Sequence, residues 1–314
     1  MAQNNGKTYD VVAVGNAIVD VIARAEDEFL ARHGMAKGSM QLIEPDAAHA
    51  IYADMPPATE VSGGSAANTA AGLTSLGASA AFIGQVATDE LGSVFTHDIR
   101  AAGVHFDPVR TLDDPIGTAR CLILVTPDAQ RTMNTYLGVA GLIEPNDIRD
   151  SLVADARVVY CEGYLWDLPE TKAALVKAME VAHANGGEVS FTLSDSFCVD
   201  RHRAEFLDLV RDHVDVLFAN ENELLSLYEV DDWREAADRI AEVVAVTCLT
   251  RSEHGSVVIA GSERIEVSAA PVDTVVDTTG AGYLYAAGFL FGYTHDFGLK
   301  RAAELGSLAA ADVI

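Results

Sequence analysis

The sequence predicts an α/β fold: a doubly wound, mostly parallel sheet flanked by helices, with a small β lid. Short apolar, β-branched runs alternate with helical patterns of about 10–15 residues along most of the chain. Glycines punctuate that alternation, Gly77 and Gly103 each closing a helical pattern. Two stretches, 19–43 and 117–136, carry β-like patterns that do not fit the strand–helix–strand rhythm, and they are assigned to the lid. One domain is expected over residues 8–314.

Residues 11–14 are the first apolar run and end at Gly15, as a buried strand of a parallel sheet does. A helix follows over 66–76, a strand over 80–84 and a helix over 90–102. The rhythm returns with strands at 158–162, 188–193 and 214–219, separated by helices at 169–185 and 201–210. A short helix over 221–228, strands at 243–250 and 256–260, and a helix over 280–292 complete it.

With 314 residues, 49% of them hydrophobic, the chain can bury a large core. Lys and Arg number 21 against 47 Asp and Glu, a formal net charge of −26. Such a surface repels phosphate backbones and anionic lipids, which argues against nucleic-acid and membrane partners. The four cysteines are far apart and form no C-x-x-C pair, so neither a zinc site nor a disulfide framework is expected. The nine histidines show no metal-ligand spacing. The polar start leads directly into a strand, and the uncharged stretch 278–294 is shorter than the roughly 20 residues of a membrane span. A cytoplasmic location is expected, as a monomer or homodimer.

Four segments carry chemistry. Asp277-Thr278-Thr279-Gly280-Ala281-Gly282 runs directly into an apolar helix. Small residues at a helix start let backbone N–H groups close on an anion, helped by the helix dipole. That arrangement can hold a transferring phosphoryl group as charge develops on it. Ser62-Gly63-Gly64-Ser65-Ala66-Ala67-Asn68 enters another helix, and Ser65 and Asn68 offer a hydroxyl and an amide to a polyol. Tight helix–sheet packing accounts for its glycines but not for the asparagine. Asp20, in Gly15-Asn16-Ala17-Ile18-Val19-Asp20, follows the first strand, where ligands of open parallel sheets bind. Its carboxylate can accept hydrogen bonds from vicinal hydroxyls. Asn220-Glu221-Asn222-Glu223 closes a strand and can position Mg²⁺ through water, or simply complement a helix dipole.

In this order the segments resemble the ribokinase-like (phosphofructokinase-B) family of carbohydrate and nucleoside kinases, from about Tyr9 to the end of the chain. Within it the sequence looks most like the adenosine kinases. Gly15-Asn16 to Asp20 followed by Phe29-Leu30 and Gln41, Leu193-Ser194 with Phe197, and residues 214–221 follow their order and spacing. The resemblance implies that Asn16, Asp20, Gly64, Ser65 and Asn68 hold a ribose, with Gln41, Met133, Leu137 and Phe197 near the base. It implies a lid cation at Arg131 near the phosphates of ATP, and a nucleotide pocket that includes Asn220, Thr250, Gly255 and Thr278. Asn220 and Glu223 would organise Mg²⁺, Asp277 and Thr279 half of a K⁺ site, and Gly280, Ala281 and Gly282 the anion hole.

The chain departs from the family at two internal positions, and the resemblance leads one to expect a further C-terminal stretch past Ile314 that completes the nucleotide pocket and cation site. The family motif ends G-A-G-D, and its aspartate takes the proton of the attacking hydroxyl; here the position is Tyr283. A phenol, with a pKa near 10, is a poor base at pH 7. In Thr250-Arg251-Ser252-Glu253-His254-Gly255, Ser252 replaces the middle glycine of T-x-G-x-x-G. Three activities are therefore weighed: a purine-nucleoside kinase impaired by Tyr283, a free-sugar kinase, and a catalytically silent nucleoside-binding protein.

Overall fold

In the first strand, β1 (Tyr9–Val14), side chains alternate across the sheet: Val11 and Ala13 enter one apolar cluster, Val12 and Val14 the other, all fully buried. A strand buried on both faces requires helices on both sides. The computed structural model describes residues 6–108, 116–275 and 278–314. After β1 come β2 (Ile18–Arg24), α1 (Asp27–Arg32), β3 (Met40–Leu42), α2 (Pro45–Asp54) and β4 (Thr59–Gly63). They are followed by α3 (Ser65–Ser75), β5 (Ala80–Ile83), α4 (Glu90–Ala101), β6 (His105–Phe106), β7 (Ala119–Val125) and β8 (Arg131–Tyr136). Next are α5 (Asp150–Ala154), β9 (Ala156–Glu162), α6 (Pro169–Ala184), β10 (Glu188–Thr192), α7 (Ser196–His213), β11 (Val216–Asn220), α8 (Glu221–Tyr228) and α9 (Trp233–Ile240). The chain ends with β12 (Val246–Thr250), β13 (Ser256–Ala260), β14 (Glu263–Val267), α10 (Ala281–Thr294) and α11 (Leu299–Ala311).

Nine strands form the main sheet in the order β14-β13-β12-β11-β10-β9-β1-β5-β6. Pairing is parallel from β6 to β12 and antiparallel for β13 and β14. From β1 the chain builds toward β5 and β6 on one side, then returns to β9 and builds the other way. The junction of β1 and β9 is thus the switch point, where open α/β sheets bind ligands beyond the strands' carboxyl ends. Helices α3, α10 and α11 share one core with one face of the sheet; α6, α7, α8 and α9 share the other.

A second sheet, in the order β3-β8-β7-β2-β4, stands apart from the first. Segments 19–43 and 117–136 contribute to four of its strands. The fifth, β4, was not anticipated from sequence, and residues 27–32 within the first segment are helical rather than extended. Among the described residues no helix is long and apolar enough to cross a membrane.

Candidate active site

Two strand ends meet at the switch point. Asn16 follows β1, and Glu162 is the last residue of β9; Asn16 is 6% exposed and Glu162 1%. One Glu162 oxygen accepts from the backbone N–H of Asn16 at 2.6 Å and from its side-chain amide at 2.8 Å. The other accepts from the Ser65 hydroxyl and, at 2.9 Å, from the Ala66 N–H at the start of α3. One buried carboxylate thus ties the β1–β2 loop to the N-terminus of α3. Burial pushes its pKa up, and these donors pull it down. Sequence reading missed Glu162, which looks there like the end of an apolar strand. The sequence carries one hint, a lone carboxylate closing the apolar run Val158-Val159-Tyr160-Cys161.

Two glycines keep this junction close. A Cβ on Gly15 would lie 2.6 Å from that of Ala66. Gly64 caps α3 at φ 95°, and a Cβ there would fall 2.5 Å from the Asn16 carbonyl oxygen. Asn68 sits one turn into α3 and partly exposed, and its amide makes no hydrogen bond among the described residues.

Asp20 lies on β2 with its carboxylate against Gly63, 2.6 Å from where a Cβ would sit. Desolvation raises its pKa to about 6, opposed by the nearby Arg131. Among the described residues the carboxylate accepts no hydrogen bond. Arg131, from β8, reaches Thr279 Oγ1 in the loop before α10 at 3.4 Å, so the second sheet touches the Gly-rich loop directly.

Strand register sorts the residues expected near a base. Asp20 pairs with Cys121, Cys121 with Thr135, and Ile123 with Met133, so Asp20 and Met133 share one face of the second sheet. Gln41 pairs with Asn134 and Asn134 with Leu122, which puts Gln41 on the opposite face, where its amide donates to Asn134 at 2.7 Å. Gln41 is therefore corrected: Met40, which pairs with Met133, takes its place on the Asp20 face. Leu137 is half-buried just after β8, and Phe197 stands 68% exposed at the start of α7.

On the other side of the switch point, Asn220 ends β11 and caps α8 in a reciprocal box with Glu223. Both Glu223 oxygens accept from Asn220, at 2.5 Å from the amide and 3.0 Å from the backbone. Burial raises Glu223 to about 7. With both oxygens engaged, direct metal ligation does not suit Glu223, whereas a water-bridged ion suits the exposed Asn220. Among the described residues no group of three or more His, Cys, Asp or Glu side chains could hold a metal ion. Thr250 ends the neighbouring strand β12, paired with Asn220. Ser252 adopts φ 50°, the left-handed region a glycine takes freely, so the turn to Gly255 (φ 81°) keeps a glycine-like path despite the substitution.

Gly280 caps α10 at φ 89°, and a Cβ on Gly280 or Gly282 would meet no atom within 4 Å. With Ala281 they leave open space at a helix N-terminus, as anion binding requires. Thr278 and Thr279 before them are exposed, and Asp277 lies outside the described residues.

Tyr283 sits in the first turn of α10. Its carbonyl accepts from Thr69 of α3 at 3.2 Å, fixing the two helices together, while its hydroxyl makes no hydrogen bond among the described residues. Burial pushes the phenol's pKa up, and the charges of Glu162, Glu223, Asp20 and Asp195 raise it further. Asp195 caps α7 through the Cys198 N–H at 2.6 Å and accepts from the Tyr164 hydroxyl at 2.9 Å. The carboxylates that act on it electrostatically come from both sheets, Asp20 from the second and Glu162 from the first, and from the α7–α8 layer, Asp195 and Glu223. Two hollows elsewhere, one beside Arg24 and Phe29 and one beside Gly92 and Arg100, lie away from this group.

The profile of the pfkB family carbohydrate kinases matches residues 10–314. The chain belongs to that family. Like its relatives, this pfkB kinase is a phosphotransferase of the nucleoside and sugar type. It is similar to the solved adenosine kinase of Sinorhizobium meliloti, with 54% identity, TM-score 0.90, and coverage of 96% of this chain and 92% of that one. It is also similar to the solved probable sugar kinase of Rhizobium etli CFN 42, at 51% identity, TM-score 0.92, covering 98% and 93%. The adenosine kinase of Saccharomyces cerevisiae is 28% identical over 97% of this chain and 94% of its own length. The family membership implies ATP and a divalent metal, and the doubly wound fold is the family's own.

Proposed function

We propose that this pfkB kinase transfers the γ-phosphoryl group of ATP to the sugar hydroxyl of a purine nucleoside, adenosine first, and that Tyr283 makes it slow. The observation that carries the reading is the 54% identity to the S. meliloti adenosine kinase over 96% of the chain. The local chemistry supports it. Asp20, whose carboxylate accepts no hydrogen bond among the described residues, can accept two hydroxyls of a ribose, and Asn68 can add its amide. Glu162 orients Asn16 and Ser65 beside them. Met40 and Met133 present an apolar wall on the Asp20 face, suited to a flat base.

Charge stabilisation falls to the N–H groups at Gly280 to Gly282 and to Arg131, which a surface of net charge −26 makes all the more necessary. Asn220, its side chain fixed by Glu223, would hold Mg²⁺ through water, and Thr279 with Asp277 would contribute to a K⁺ site. The divalent ion, when bound, neutralises charge on the phosphoryl oxygens.

A thermal-shift panel tests the assignment. A ligand present at 100 times its dissociation constant stabilises by about 2.7 kcal/mol, so adenosine should raise Tm where ribose and fructose do not. A shift with free sugars alone would favour the second reading, a sugar kinase, which the 51% identity to the R. etli protein supports. Binding of nucleoside with no phosphoryl transfer, even after Tyr283→Asp, would point to a silent binding protein.

A further inference from the structure

We propose that Thr69 holds the two halves of the reaction in register: its hydroxyl ties the first turn of α10, which presents the anion hole, to α3, whose first turn faces the sugar. The inference rests on the kinase reading above and adds to it a positioning residue, outside the groups that touch either substrate.

Thr69 is wholly buried among Ala66, Ala67, Ala70, Ala71 and Gly72 on a helix where an alanine would pack as well. Its hydroxyl has a specific use. The one proton is shared between the Ser65 carbonyl at 3.1 Å, a turn back in the same helix, and the Tyr283 carbonyl at 3.2 Å. The first contact fixes the side chain, and the second reaches across to α10.

From Tyr283 the connection runs into the anion hole through the backbone. The peptide joining Tyr283 to Leu284 is rigid. Its carbonyl accepts from Thr69, and its N–H donates to the Gly280 carbonyl at 3.0 Å. Gly280 is the residue that turns the chain into α10 at φ 89°. In the other direction, Ser65 gives its hydroxyl to Glu162, and Glu162 also holds the amide of Asn16. A continuous series of hydrogen bonds and short backbone links thus runs from Asn16 through Glu162, Ser65 and Thr69 to Gly280.

Packing stiffens the contact. One turn beyond Thr69, a Cβ at Gly72 would lie 2.8 Å from the Ala287 Cβ and 2.8 Å from Leu284 Cδ1. The two helices therefore run side by side in the same direction, Thr69 level with Tyr283 and Gly72 with Leu284 and Ala287. Their N-termini come to one end, one entered through Gly64 and the other through Gly280. The distance from sugar hydroxyl to γ-phosphoryl group is then set by how α3 and α10 sit, and Thr69 is the hydrogen bond that sets it. Transfer is sensitive to that distance, a misplacement of about 1 Å costing up to roughly 10²-fold.

The test measures kcat and KM for ATP and for adenosine, or ribose if adenosine does not react, in Thr69→Val, Thr69→Ser and Thr74→Val. Each is made in the wild-type and Tyr283→Asp backgrounds, since Thr69 bonds the backbone of residue 283 and not its side chain. Thr69→Val has the same shape and should lose about tenfold in kcat with both KM values unchanged. Its Tm should not fall, because both carbonyls keep their helical N–H partners and Tyr160, which also bonds Thr69, keeps Thr192. Thr69→Ser should recover most of the rate. Thr74 is the control: its hydroxyl also bonds carbonyls of α3, but it reaches Ala102 at the end of α4, at 2.7 Å, so Thr74→Val should turn over like its parent. A Thr69→Val protein as fast as its parent, a loss seen only in KM, a loss that serine does not restore, or an equal loss in Thr74→Val would overturn the proposal. If the Tyr283→Asp parent phosphorylates neither adenosine nor ribose, the kinase reading itself fails, and this inference falls with it.

Discussion

Asp20 is kept in the cleft at a cost to the fold. Its carboxyl titrates near 6 in the folded chain against about 3.9 when unfolded, so the folded state holds the extra proton between those values. Stability therefore falls as pH rises from about 4 to 6, and Asp20→Asn should raise Tm at pH 7 but not at pH 4. Binding runs the other way. The ionised carboxylate accepts hydroxyls, so calorimetric affinity for adenosine should be full at pH 8 and fall about tenfold per unit below 6; an affinity flat from pH 8 to 5 would remove Asp20 from the sugar site. Asp20→Ala should weaken adenosine by about 1.5–3 kcal/mol per charged hydrogen bond lost and leave ATP affinity alone. Glu162 is the structural counterpart. Glu162→Ala strands four buried donors and should cost at least about 3 kcal/mol in denaturant unfolding, with Glu162→Gln recovering part. The sequence singles out Asn16, Asp20, Ser65 and Asn68 because small and polar residues beside glycines stand out. It does not single out Glu162, since its importance comes from meeting residues 146 and 97 positions away. Gln41 was misplaced by one residue, and on a strand one residue is the opposite face.

Helix starts do most of the work at the scale of elements. At Gly282 an added Cβ meets nothing within 4 Å, so Gly282→Ala should leave Tm unchanged yet slow turnover by crowding the anion space. Gly280→Ala adds the strain of φ 89°, about 1 kcal/mol, and should lower both Tm and kcat. A kcat untouched by either change would mean that the phosphoryl group is held elsewhere. The turn after β12 offers the converse: Ser252→Gly relieves a side chain at φ 50° and should stabilise by up to about 1 kcal/mol, measurable by chemical unfolding. Buried parallel strands such as β1 and β9 were readable because both faces are apolar. The edge strands β4, β6 and β14 were not, because short strands half-exposed to solvent lack a continuous apolar run. Helix α9 was overlooked too, its apolar positions Trp233, Ala236, Ala237 and Ile240 being interrupted by four charges.

For the whole molecule, the doubly wound sheet places the ends of β1 and β9 at its switch point, and the second sheet brings Asp20 and Arg131 over them. The net charge of −26 then sets a field against ATP. Raising ionic strength from about 0.01 to 0.15 M shortens the Debye length from about 30 to 8 Å and should lower KM for ATP, whereas a neutral nucleoside should be indifferent. The most direct test of the account is the steady-state rate of adenosine phosphorylation by the wild type and by Tyr283→Asp at saturating ATP. A slow but real wild-type rate, raised roughly 10²-fold by aspartate and mainly in kcat, is the predicted result. A wild type that is already fast, with no gain from aspartate, would contradict it.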